Sequence, residues 1–202
     1  MRSAFIITLF LCCSALAGDD ARPFLDDKLA DWDGLMEYWS YKDGVLVGAC
    51  PNGLKFNTFL CSKKIYRDFE LKFEVRLKDG IGNSGIQIRS RLNEKNKDRF
   101  AVDGPQCDIG GDFWGSLYGE NIGGMMKAAD AALVKKILKP KDFNAYTIRC
   151  VGKRVTITLN GEVTVDGEFE KMNDEGIIAF QLHSGPPMEI TFRNLEFTNL
   201  SK

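Results

Sequence analysis

The chain has 202 residues, with 27 Lys and Arg against 28 Asp and Glu and a formal net charge of -1. So even a balance gives nucleic acid or anionic lipid no electrostatic footing as a partner. A small or neutral ligand fits better.

The first residues, MRSAFIITLFLCCSALAGDD, place a basic Arg2 before an apolar run from Ala4 to Leu16 and small residues at Ala15 and Ala17. This pattern reads as a secretory signal peptide, residues 1–17, cleaved after Ala17, and predicts a secreted or periplasmic protein. The apolar run falls short of the roughly 20 residues that span a bilayer, so no membrane span is expected. Cys12 and Cys13 raise lipid attachment, but the bulky Phe10 and Leu11 before them speak against it. The remaining residues, 18–202, suffice for one domain with a substantial core.

Period-two alternation dominates the chain beyond the leader. A strand is expected in DGVLVGA around Val45, and FELKFEVRL places Phe69, Leu71, Phe73, Val75 and Leu77 on one face with Glu70, Lys72, Glu74 and Arg76 on the other. Such a face split marks a half-buried antiparallel strand. GIGNSGIQIRS alternates from Gly85 to Ser90, and GPQCDIGGDFWGSLYGE is less regular. MMKAADAALVKKILKP, Met125 to Pro140, suits a short helix or a helical excursion in a long loop, ended by Pro140. Further strands are expected in AYTIRCV, RVTITLNG, GEVTVDG, GIIAFQLHS and MEITFRNLEFTNL, with Asn160-Gly161 joining two of them as a hairpin. Many short strands, frequent turns and one helical insertion predict an all-β sandwich of two antiparallel sheets.

Four cysteines lie beyond the leader: Cys50, Cys61, Cys107 and Cys150. They allow three disulfide connectivities, and their scattered spacing lacks the close pairs of a zinc site. Cys50 with Cys61, flanking a Pro-Asn-Gly turn in what reads as one hairpin, is the pairing to test first; buried free thiols are the other reading.

In a sandwich each strand turns one face outward. Ile86 and Ile88 then face the core and Gln87 and Arg89 face out; Phe180 and Leu182 face in and Gln181 and His183 out; Gln106 and Asp108 share a face opposite Cys107. A solvated sheet face accounts for such a pattern without any function. The residue types argue further, because planar amides, one guanidinium and the nearby Phe113, Trp114 and Tyr118 are what a sugar-binding surface uses. His183 is the sole histidine. Asp108 could orient it, act as a base, or bind a cation; Glu120 is a third candidate, though an exposed loop carboxylate also describes it.

The runs WSYKDGVLVG, YRDFELKFEVRL with GNSGIQIRS, GPQCDIG with WGSLYGE, DFNAYTIRCVGKRVTITLNGEVT, and GIIAFQLHSGPPMEITFRNLEF closely resemble the 3-keto-disaccharide hydrolase family. The resemblance implies a concanavalin A-like jelly roll and activity on small carbohydrates oxidised at C3. A C3 ketone acidifies the C2 hydrogen, so a base starts β-elimination of the C1 oxygen and water then adds, without the carboxylate pair of ordinary glycosidases. Under this resemblance His183 or Asp108 would be the base and Arg89 the enolate stabiliser. Gln87, Gln106 and Gln181 would hold hydroxyls, with Trp114 or Tyr118 as ring platform and Glu120 at the margin. A divalent cation, calcium or manganese, on Asp108, His183 and water is an alternative electrophile. Many members carry Tyr-Glu-x-Gln where this chain has Asp103-Gly104-Pro105-Gln106, so no role for that glutamate carries over. The oxidised substrate would have to come from a partner sugar 3-oxidoreductase. A non-catalytic carbohydrate-binding module of the same fold is the competing expectation.

Overall fold

The computed structural model describes residues 23–201, and the expected leader, 1–17, lies outside the described residues. In chain order the strands are β1 (Trp32–Asp33), β2 (Trp39–Lys42), β3 (Val45–Cys50), β4 (Thr58–Ser62), β5 (Phe69–Leu77), β6 (Asn83–Leu92), β7 (Val102–Gly110), β8 (Leu117–Glu120) and β9 (Gly124–Lys127). After a helix, α1 (Ala131–Ile137), come β10 (Asn144–Val151), β11 (Arg154–Leu159), β12 (Glu162–Glu168), β13 (Ile177–Leu182) and β14 (Met188–Asn199). They form two seven-stranded antiparallel sheets, β1-β4-β13-β6-β7-β8-β9 and β12-β11-β10-β5-β14-β3-β2. This is the expected jelly-roll sandwich.

Alternation explains how the sheets meet. In β5 the five apolar residues are buried and the polar ones partly or fully exposed, while Ile86, Ile88, Cys107 and Ile109 supply the facing layer. Aromatic contacts bridge the layers, with Phe180 of β13 edge-on to Phe192 of β14 at 5.0 Å between ring centroids. The Asn160-Gly161 hairpin pairs Leu159 with Glu162 as the dipeptide predicts.

The outer face of the first sheet is not uniformly wet. Phe59, Cys61, Val102, Ile177 and Ala179 form a second apolar cluster there, closed by Phe100. β4 is therefore buried along its whole length, TFLCS, and shows no alternation by which sequence could reveal it.

Two expectations are corrected. Cys50 and Cys61 do not share a hairpin: β3 pairs with β14 and β2, whereas β4 pairs with β1 and β13 in the other sheet. All four described cysteines are free and buried, and burial with the nearby Asp33 carboxylate pushes the Cys61 thiol up to about 12. The helical segment is shorter than Met125 to Pro140, because Met125 to Lys127 pair with β8. The helix starts only where the Asp130 carboxylate accepts from the amides of Ala132 and Leu133, at 2.8 and 2.9 Å.

Candidate functional site

Beside the outer apolar cluster, the first sheet holds a cavity of about 280 Å³. Its floor comes from β7 and β13, where Gln106, Asp108 and Gln181 project side by side, and His183 follows at the end of β13. Tyr118 and Glu120 of β8 form one wall, and Asn57, Asn83 and Phe113 complete the rim. Six of the expected residues thus converge: Gln106, Asp108, Tyr118, Glu120, Gln181 and His183.

Asn57 ties the rim together, its Nδ2 donating to Glu120 Oε1 at 3.1 Å while its Oδ1 accepts from the Ser184 amide at 2.9 Å. Sequence alternation does not reach Asn57 and Asn83, because the one precedes β4, which has no alternation, and the other precedes the alternating part of β6. A larger cleft of about 690 Å³, between Arg91, Asp103, Met125 and Lys171, contains none of the expected residues.

Three expected residues stand elsewhere. Arg89 adopts a left-handed conformation, φ 47°, inside an irregularity where the β6–β7 register shifts between Gln87 and Arg91. An extra residue at such a bulge slips the alternation by one. Ser90, not Arg89, therefore shares the face of Gln87, and its hydroxyl lies 2.7 Å from the Gln87 side-chain amide. The Arg89 side chain is 0% exposed; it donates to the carbonyls of Arg67, Gly152 and Asn173 and to Asp68 Oδ1, the last at 2.8 Å. It is a structural tie and lines no part of the cavity. Trp114 is 4% exposed and packs in the core, because the turn Gly111–Phe113 shifts the phase; its neighbour Phe113, 44% exposed, is the aromatic at the rim. Gln87 is fully buried beside Gln106, its direct partner across β6 and β7, with the two side-chain amides 2.9 Å apart.

Gly85 makes room for the Gln106 side chain. A Cβ there would lie 2.5 Å from Gln106 Cγ and 2.8 Å from its Nε2, so the amide lies across a bare backbone. We expect Gly85→Ala to cost about 1–3 kcal/mol in urea unfolding, as overpacking does. A variant as stable as wild type would show that Gln106 moves freely. Gly104, at φ 153°, is similar: a Cβ there would collide with the Ser90 hydroxyl, so no larger residue fits at this position while Ser90 stays in place.

Electrostatically the cavity wall carries two carboxylates, amides and one imidazole, with no Lys or Arg among its described lining. Asp108 is 4% exposed. Burial pushes its carboxyl from an ordinary 3.8 up to about 7, with the Glu120 charge adding to the rise and the hydrogen bond from Gln106 opposing it. Its backbone is fixed from three sides, by Ser116, by Gly115 and, across the core, by the Tyr146 hydroxyl at 3.1 Å. His183 Nδ1 lies 2.6 Å from the Ser184 carbonyl. A carbonyl only accepts, so Nδ1 carries a proton, and of the two neutral tautomers this is the one whose lone pair lies on Nε2. Among the described residues no three of His, Cys, Asp and Glu come together as a cation-holding set. A divalent cation on Asp108 and His183 would therefore take its remaining ligands from water and neutral oxygens.

The sequence profile of the 3-keto-alpha-glucoside-1,2-lyase-like domain matches residues 20–198. The chain belongs to this family. Family membership supports a carbohydrate-acting enzyme in general terms. A search of curated proteins returns no match. Among solved structures, two proteins of Parabacteroides distasonis provisionally described as glycosyl hydrolases share the fold. One is 22% identical, with 89% of this chain and 98% of that one covered and a TM-score of 0.63. The other is 19% identical, with 86% and 90% covered and a TM-score of 0.64. The carbohydrate-binding module CBM66 of Bacillus subtilis, 16% identical over 84% of this chain and 96% of its own, has a TM-score of 0.60. At these identities the likeness concerns fold alone. Among the described residues no helix is long and apolar enough to cross a membrane.

Proposed function

We propose that the protein is an exported enzyme that cleaves 3-keto-glycosides by elimination and hydration. The observation that carries this reading is the pairing, in one cavity, of His183, whose Nε2 is free to accept a proton, with a buried Asp108 poised between its two protonation states. His183 Nε2 takes the C2 proton, and the electrons of that C–H bond flow into an enolate whose oxygen is at C3. Without Arg89, a hydrogen-bond donor at the C3 oxygen comes from a neutral group of the cavity wall such as the Asn83 amide. Collapse of the enolate re-forms the C3 carbonyl, makes a C1–C2 double bond and breaks the C1–O bond; the departing oxygen takes a proton from Asp108. Water then adds at C1 and a proton returns to C2. Phe113 and Tyr118 offer rings to the C–H faces of the sugar. Oxidation of a C3 hydroxyl must precede the reaction, so a sugar 3-oxidoreductase would supply the substrate.

The competing reading is a binding module, favoured by the shared fold with CBM66. Incubation of the protein with a 3-keto-glucoside bearing a chromogenic aglycone separates the two. Enol absorbance followed by aglycone release is expected; saturable binding without turnover would replace the enzyme by the module.

A further inference from the structure

The side-chain amides of the cavity floor, Gln106 and Gln181, form one connected chain with the adjoining Gln87, and its sense matters. An amide's oxygen and nitrogen occupy interchangeable positions, so which way each glutamine points is decided by its neighbours. In one sense Gln106 Nε2 donates to Asp108 Oδ1 at 2.7 Å and to Gln181 Oε1 at 3.3 Å, while Gln87 Nε2 donates to Gln106 Oε1 at 2.9 Å. This arrangement suits an ionised Asp108. It leaves two defects: Gln87 Oε1 faces the carbonyl oxygens of Pro105 and Gly104 at 3.0 and 3.3 Å, and Gln181 Nε2 is buried without a partner among the described residues. Each is costly in a buried network.

Turning all three amides over removes the first and puts Gln181 Oε1 in place of its Nε2 at the unpartnered position, a milder defect than an orphaned N–H. Gln87 Nε2 then donates to the Pro105 and Gly104 carbonyls and reaches the Ser90 hydroxyl, and Gln106 Nε2 donates to Gln87 Oε1. Gln181 Nε2 gains Gln106 Oε1, 3.3 Å away. One contact changes character. Gln106 Oε1 now sits 2.7 Å from Asp108 Oδ1, acceptor against acceptor, and the pair holds only with a proton between them.

We propose that Gln87, Gln106 and Gln181 are positioning residues that hold Asp108 as a neutral carboxylic acid in the unliganded protein and turn over together when it gives up its proton. One sense of the chain satisfies the acid, the other the carboxylate, so ionisation does not strand a buried charge. The groups facing Asp108 leave the acid form unopposed. Glu120 on β8 repels a second negative charge, and Tyr118 on β8, Asn83 on β6, Asn57 before β4 and Gln181 on β13 are neutral. His183 is the one group among the described lining able to become positive. Burial acts in the same direction. The use of this proton on a departing sugar oxygen rests on the enzyme reading: the Asp108 O–H bond breaks, the oxygen released from C1 receives the proton, and Gln106 Nε2 turns to the carboxylate.

The test needs no sugar. In protein labelled with carboxyl-13C aspartate and side-chain 15N glutamine, Asp108 is assigned through Asp108→Asn. It should be protonated at pH 5.5, and its titration should move the amide resonances of Gln87, Gln106 and Gln181 with a common midpoint. Gln87→Met removes the donor to the Pro105 and Gly104 carbonyls, and should lower the Asp108 midpoint by about one unit, a tenfold change in the proton equilibrium. An Asp108 already ionised at pH 5.5 overturns the proposal, and so do Gln87 resonances that ignore its titration. A Gln87→Met midpoint equal to wild type overturns it too, and if that variant does not fold the wild-type titration decides alone. Absent turnover with an intact relay would overturn the enzyme reading only; a failed relay with turnover would overturn the relay only.

Discussion

Arg89→Met is expected to destabilise the protein by about 3 kcal/mol in urea unfolding, at the low end of what breaking a buried ion pair costs. The guanidinium reaches from the first sheet to loops of the second, and its removal strands the carbonyls of Arg67, Gly152 and Asn173. Asp68 keeps its bond from the Gly152 amide at 3.0 Å and its side chain remains 22% exposed, so water recovers part of the loss. What remains folded should turn over substrate normally. An Arg89→Met protein with wild-type stability but no activity would return this residue to the substrate.

The second large effect concerns the reaction. His183→Ala should lower turnover of a 3-keto-glucoside about 10²–10⁴-fold, the usual contribution of a general base, with little change in unfolding. Among the described residues the ring's one hydrogen bond is to its own neighbour, so the fold does not depend on it. Asp108→Asn should cause a comparable loss, since an amide keeps the cavity's shape but carries no acid proton. Should both variants keep the wild-type rate while Glu120→Gln abolishes it, the carboxylate facing the sugar is Glu120.

Much of this site was legible because alternation is a faithful guide wherever a strand is regular. Gln106 with Asp108, and Gln181 with His183, sit two apart and do share the cavity. The same rule misplaced Arg89, because one residue at φ 47° slips the phase and nothing in Ile-Arg-Ser signals it. It also failed between Phe113 and Trp114, where a short turn decides which neighbour is buried. Asn57 and Asn83 carry no periodic signal, since what brings them to the rim is the pairing of strands distant in sequence. β4 escaped for the opposite reason: buried on both faces, it has no polar side to alternate with.

The position of β14 bears on how such a chain is made. This strand lies between β5 and β3, so the middle of the second sheet is filled by residues synthesised long after both neighbours. Until Met188–Asn199 emerges, the apolar sides of β3 and β5 have no partner strand between them, and the loops they span must be closed late. Completion of the sandwich waits on the end of translation of this segment. Earlier nascent chains expose unpaired edges, the state that chaperones bind.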